Sequence, residues 1–163
     1  YDQQILKLEN YIIESNKNFA GAKFIRKRFD TFSELLATLK GEHLLVDLWA
    51  TWCHPCVEDF KFKKNIQSFV DGGKLKVLYI SIDKPEWADR WKNSVQFNKL
   101  EGYHYRADEN FIKDLWATLR GWEGAIPRYA LVDHTGSIVN ATASRPADDG
   151  KLVKEIETML EGK

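Results

Sequence analysis

Apolar positions along this chain change period from segment to segment, and that change outlines the fold. Residues 2–15 place Ile5, Leu8 and Ile12, with Leu6 and Ile13 beside them, at helical spacing behind Asp2 as a candidate N-cap. Residues 16–23 are polar, contain Gly21 and read as a linker, so residues 1–22 are expected to form a helical appendage and residues 23–163 the main domain. Residues 23–29 alternate like an edge strand. Thr31-Phe32-Ser33-Glu34 fits a capping box, in which a threonine hydroxyl and a glutamate side chain satisfy free N–H groups, and predicts a helix to about Lys40 stopped by Gly41.

Residues 43–50 are nearly continuous in apolar side chains except for Asp47 and read as a central strand. From Pro55 a helix is predicted to about Val70, with Val57, Phe60, Lys64 and Phe62, Ile66, Phe69 inward and Gly72-Gly73 ending it. Residues 75–82 form the next buried strand. A helix follows from Pro85, carrying Trp87, Trp91 and Val95 four apart, then a short strand at 103–107. Asp108 is a cap for a helix with Phe111, Leu115 and Leu119 inward, ended by Gly121. Strands at 128–133 and 137–142 flank a His134-Thr135-Gly136 hairpin turn, and Asp148 or Asp149 is expected to cap a last helix bearing Leu152, Val153, Ile156, Met159 and Leu160. The alternation of strands and helices implies an α/β fold, a mixed central sheet with helices on both faces.

Composition narrows the function. With 44% hydrophobic residues, the chain can fill a core without disulfide staples. Lys+Arg and Asp+Glu balance at 24 each, so no net field draws nucleic acid, and the basic runs at 23–28 and 61–64 are interleaved with Phe or Ile like half-buried faces. No apolar run reaches the roughly 18 residues of a membrane span. The sequence begins at Tyr1, as a mature form or part of a larger chain would.

The chemistry converges on Val46-Asp47-Leu48-Trp49-Ala50-Thr51-Trp52-Cys53-His54-Pro55-Cys56, which holds both cysteines of the chain. Two thiols at C-x-x-C spacing cannot staple distant segments, but they can close and reopen a small disulfide ring. At a helix start, free N–H groups and the helix dipole favour the thiolate that attacks disulfides. Cys53, just ahead of the helix, is the candidate nucleophile and Cys56 the resolving thiol. His54 between them is placed to tune the potential, and Pro55 stiffens the ring where its missing N–H costs nothing. Asp47 should be buried with a raised pKa, near Cys56, as the base for the resolving thiol. Inert cysteines or half of a zinc site are the competing readings. Zinc would want four ligands, and His43, His54, His104 and His134 are scattered.

This segment resembles the thioredoxin active site, V-D-F-W-A-x-W-C-G-P-C, including the aspartate six residues before the first cysteine. The stretch Gly124-Ala125-Ile126-Pro127-Arg128-Tyr129-Ala130-Leu131-Val132-Asp133-His134-Thr135-Gly136 resembles that family's second signature. The helix and strand between Pro85 and Ala107 resemble the insertion of the TlpA/ResA-like branch of envelope thiol–disulfide oxidoreductases. The resemblance implies a thioredoxin fold over about residues 24–161, with Pro127 cis beside the cysteine pair and the Ile126 backbone offering strand-like hydrogen bonds to a peptide. Trp52 and Trp122 would rim that site. It also implies protein thiols or disulfides and an upstream dithiol donor as partners, an extracytoplasmic compartment, and no cofactor or metal beyond the cysteine pair. The retained Pro55 favours the reducing direction. His54 replaces the usual glycine, Lys61 replaces a helix-bending proline, and Lys84 and Lys76 are the candidates for the lysine that partners the buried aspartate. The alternatives are a copper metallochaperone using Cys53, Cys56 and His134, a peroxidase, whose P-x-x-x-T-x-x-C context this chain lacks, and a binding module with incidental cysteines.

Overall fold

The computed structural model describes residues 3–8, 19–121 and 124–162. Its centre is β2 (Leu44–Trp49), in which every residue is buried. β3 (Lys76–Ser81) lies parallel on one side and β5 (Arg128–Val132) antiparallel on the other. Beyond β3 come β4 (Gly102–Arg106) and the edge strand β1 (Ala22–Phe24), and β6 (Ile138–Ala143) forms the far edge, giving the order β1-β4-β3-β2-β5-β6. A strand covered on both faces and paired on both edges never meets water, so its sequence is an apolar run rather than an alternation.

Alternation still decides where each side chain goes. Leu44, Val46 and Leu48 join a core built with α1 (Phe32–Thr38) and α5 (Glu109–Leu119). Leu45 and Trp49 join a second core with Cys53, Cys56, α4 (Ala88–Phe97) and α6 (Lys151–Leu160). Asp47 falls between Leu45 and Trp49, so it faces the cysteine side of the sheet. The predicted layers are therefore present: a mixed sheet with helices on both faces.

Local signals behave as their chemistry dictates. The Thr31 hydroxyl accepts from Glu34 N at 3.2 Å and the Asp108 carboxylate from Phe111 N at 3.1 Å. Gly102 is required where β4 meets β3, because it sits at φ 141° and any Cβ would strike the Val77 carbonyl. Trp91 is buried edge-on against Phe24, with centroids 5.3 Å apart, and only it and Val95 of its helix are buried; Trp87, in the 3-10 turn before that helix, is exposed beneath Arg90.

Three expectations need correction. The first strand ends at Phe24, not at residue 29: after Ile25 N, which donates to the His104 carbonyl at 2.8 Å, contacts with β4 run through side chains. Arg28 donates to the Arg106 carbonyl at 2.8 Å and pairs with Asp108 at 3.4 Å, and Phe29 N donates to the Tyr105 hydroxyl at 3.0 Å. The last helix is capped by Gly150 at φ 77° without a side-chain bond; Asp148 instead accepts from Arg145 N in the preceding turn. The helix after the cysteines is not continuous to Val70. α2 (His54–Asp59) passes into a 3-10 segment, Phe60–Ile66, and then α3 (Gln67–Asp71). Three residues per turn bring Phe60, Lys63 and Ile66 to one inward face, whereas Lys64 is exposed. Residues 3–8 are helical with Ile5, Leu6 and Leu8 at the surface. Asp2, Ile12, Ile13 and residues 16–18 of the predicted linker lie outside the described residues, while Ala22 and Lys23, expected to end the linker, already belong to β1.

Candidate functional site

Where β2 ends, Cys53 N donates to the Ala50 carbonyl at 3.1 Å, which closes a turn over Thr51 and Trp52. Cys53 then caps α2: its sulfur accepts from Cys56 N at 3.3 Å. The two sulfurs form a disulfide with Cα atoms 5.3 Å apart, and Pro55 occupies the first turn. Cys56 is fully buried and Cys53 nearly so, at 5% exposure. Trp52 is 59% exposed beside them, and His54 projects into solvent toward Glu58, 3.9 Å away. Lys61, in place of the expected bend-forming proline, lies 2.6 Å from Glu58 and holds that carboxyl below its ordinary range.

The Ile126–Pro127 peptide bond is cis. Leu48 pairs with Arg128, one residue later, so this bond lies at the end of β2 from which the cysteine turn departs. Ile126 is half-buried and packs against both cores. Trp122 lies outside the described residues.

Asp47 is completely buried. Burial pushes its carboxyl above the ordinary range, and Lys63 partly opposes this. The partner lysine is therefore Lys63, whose Nζ donates to Asp47 Oδ2 at 2.7 Å; neither Lys76 nor Lys84 takes that place. Lys76 pairs with Leu44 at the far end of β2, and Lys84 follows β3 on the way to the Pro85 turn. Burial alone would pull the Lys63 ammonium down, but Asp47 and Tyr79 outweigh it and keep it charged. The ammonium sits over the Tyr79 ring at 4.6 Å and the Tyr129 ring at 5.5 Å. Register explains the cage, since Tyr79 and Tyr129 are the direct neighbours of Asp47 on β3 and β5. A cavity of about 320 Å³, lined by Lys63, Tyr79 and Leu100 among others, opens on the Lys63 side of the pair.

The same row continues to His104, which pairs with Tyr79 and stacks on it at 4.7 Å. Desolvation lowers His104 to about 4, so it is neutral, with Nε2 donating to the Leu100 carbonyl at 2.7 Å. A second buried carboxylate, Asp59, anchors α2 from below. It accepts two bonds from Arg145, at 2.7 and 3.0 Å, and one from the Tyr129 hydroxyl at 2.8 Å. Sequence reasoning missed Asp59 and Lys63; both sit in a charged stretch that looks like a solvated face. Arg145→Ala is expected to cost about 2 kcal/mol, between the values for exposed and buried pairs, because its side chain is partly exposed. The check is a thermal melt, with Tm lower by about 4–8 °C at this chain length.

His134 is not part of this site. Its ring packs edge-on against His43, centroids 5.0 Å apart, and its carbonyl accepts from Gly41 N at 2.7 Å. His43 precedes β2, at the opposite end from the cysteines. Among the described residues, no three His, Cys, Asp or Glu side chains gather as a metal site, and no helix is long and apolar enough to cross a membrane.

Comparison with known proteins agrees with this geometry. The Redoxin family pattern matches residues 32–160. A 64-residue segment is 25% identical to the thiol–disulfide oxidoreductase ResA of Oceanobacillus iheyensis, and the match spans 39% of this chain but only 33% of that relative. Among solved structures, a proposed thiol–disulfide oxidoreductase from Bacteroides vulgatus is 31% identical, with a TM-score of 0.61 over 76% of this chain and 82% of that one. The thioredoxin domain of another oxidoreductase from the same organism is 25% identical, with a TM-score of 0.59 over 77% and 84%.

Proposed function

Because this chain belongs to the Redoxin family, in its thioredoxin-like TlpA/ResA-like branch of thiol–disulfide oxidoreductases, we propose that it reduces protein disulfides through Cys53 and Cys56. The observation that carries this reading is a disulfide capping a helix on the same face of the sheet as a buried carboxylate–lysine pair.

In the dithiol form, the Cys53 thiolate attacks one sulfur of the substrate disulfide. That S–S bond breaks, its other sulfur leaves as a thiolate and takes a proton from water, and a mixed disulfide remains. Asp47 accepts the Cys56 proton; the Cys56 sulfur attacks Cys53, closes the ring and expels the second substrate thiolate. Two electrons pass to the substrate, and an upstream dithiol donor returns them. The raised pKa of Asp47 suits a proton acceptor.

The substrate strand is proposed to run along the Ile126 backbone beside Pro127, with Trp52 as an apolar rim and Trp122 as its counterpart. The segment before β1 is an appendage to the domain in this reading, and the ResA likeness suggests an extracytoplasmic envelope compartment. The test is reduction of a protein disulfide by the pre-reduced chain, with the Cys53–Cys56 potential measured against glutathione. Stoichiometric reduction is expected, with a potential in the lower part of the roughly −270 to −120 mV thioredoxin-like range. A value near −120 mV would reverse the direction, and a pair that does not cycle would end the proposal.

A further inference from the structure

We propose that Asp83 is a positioning residue for the redox reaction, clamping Thr51 and so fixing the turn that presents Trp52 and Cys53. Asp83 is 1% exposed and lies two residues beyond the end of β3. Its Oδ1 accepts from the Thr51 hydroxyl at 2.7 Å, and both carboxylate oxygens receive the Thr51 N–H, at 3.2 and 3.1 Å. Its Oδ2 also accepts from the Ser81 hydroxyl at 2.6 Å, and that hydroxyl accepts from Asp83 N at 3.0 Å. The network is tied to its surroundings through the Ser81 carbonyl, which accepts from Ala107 N at 2.8 Å, and the Asp83 carbonyl, which accepts from Arg106 Nη1 at 3.3 Å.

Thr51 is the second residue of the turn closed by Cys53 N and the Ala50 carbonyl, and Ile82 N donates to the Trp49 carbonyl just before it. The turn is thus sewn to β3 at Trp49 and at Thr51, while Trp52 swings outward and Cys53 begins α2. In-line attack needs sulfur held along the axis of the substrate S–S bond, and an anchored turn supplies that orientation before the substrate arrives.

This inference rests on Cys53 being the attacking thiol. The test compares two reactions of the reduced protein at one pH: attack on a protein disulfide, which needs orientation, and alkylation by iodoacetamide, which needs only a thiolate. Thr51→Val keeps the N–H bond and loses the hydroxyl bond. It is expected to slow attack roughly tenfold and leave alkylation within about twofold of wild type, and Thr51→Ser should restore attack. Thr51→Ala reads the same loss without added bulk if the valine is poorly accommodated. Unchanged attack, or attack and alkylation falling together, would overturn the clamp. Failure of the underlying reading looks different: the wild-type chain itself would not attack disulfides.

Discussion

Cys53→Ser should reduce disulfide turnover to the uncatalysed background, whereas Cys56→Ser should complete the first attack and stop there as a covalent mixed disulfide. The asymmetry follows from where the sulfurs sit. Cys53 receives the Cys56 N–H at the helix start, the contact that favours its thiolate, and it adjoins the exposed Trp52. Cys56 has no exposed surface and meets only the sulfur brought to it. A serine at 53 is a far weaker nucleophile at neutral pH. A serine at 56 removes the second attack and leaves the first intact. Mass spectrometry after mixing each variant with a disulfide-bonded protein, without added thiol, reads the outcome. Adducts on Cys56 in the Cys53→Ser protein, and none in the other, would invert the assigned roles.

The cysteine pair, its preceding strand and the buried acid were legible because each breaks a pattern. Asp47 interrupts an apolar run, and a carboxylate placed there must be buried. The two cysteines punctuate a strand-to-helix change of period. Lys63 left no such mark. It sits in Lys61-Phe62-Lys63-Lys64, where an α-helical period turns Lys64 inward and Lys63 outward. The 3-10 segment reverses that assignment, and helical periodicity cannot foresee a change from 3.6 to three residues per turn. Asp59 and Arg145 lie 86 residues apart and meet only because α2 and the loop after β6 converge on Tyr129. Thr51 and Asp83 escape notice for a similar reason: they are joined across neighbouring strand ends. What periodicity gives is which face a residue takes, and long-range polar partners depend on which elements end up facing each other.

Lys63→Met should destabilise the protein by about 3 kcal/mol above neutral pH, the low end for removing one partner of a buried pair, with the deficit shrinking as pH falls. Asp47 is faced by Lys63, by Tyr79 and Tyr129 in register, and by the more distant charge of Asp59. Its folded pKa lies above the unfolded value of 3.8, so it favours folding most below 3.8, and that contribution is lost as pH rises through the folded pKa. Lys63 lowers the folded value; without it, Asp47 rises further and the loss runs to higher pH. The wild-type and variant curves must therefore separate above the wild-type Asp47 pKa and converge toward acid. Lys63 itself adds no slope there, because its folded pKa is raised above 10.5 and it stays charged throughout the window. The same shift should move the pH profile of the resolving step upward, since a weaker acid holds its proton longer. Denaturant melts from pH 5 to 9 decide the matter, with Asp47→Asn added to each background. A deficit constant across that range would mean that only the packing of Lys63 between the two tyrosines matters. A deficit that widens toward acid would contradict a raised Asp47, and with it the proton acceptor that the resolving thiol is assigned.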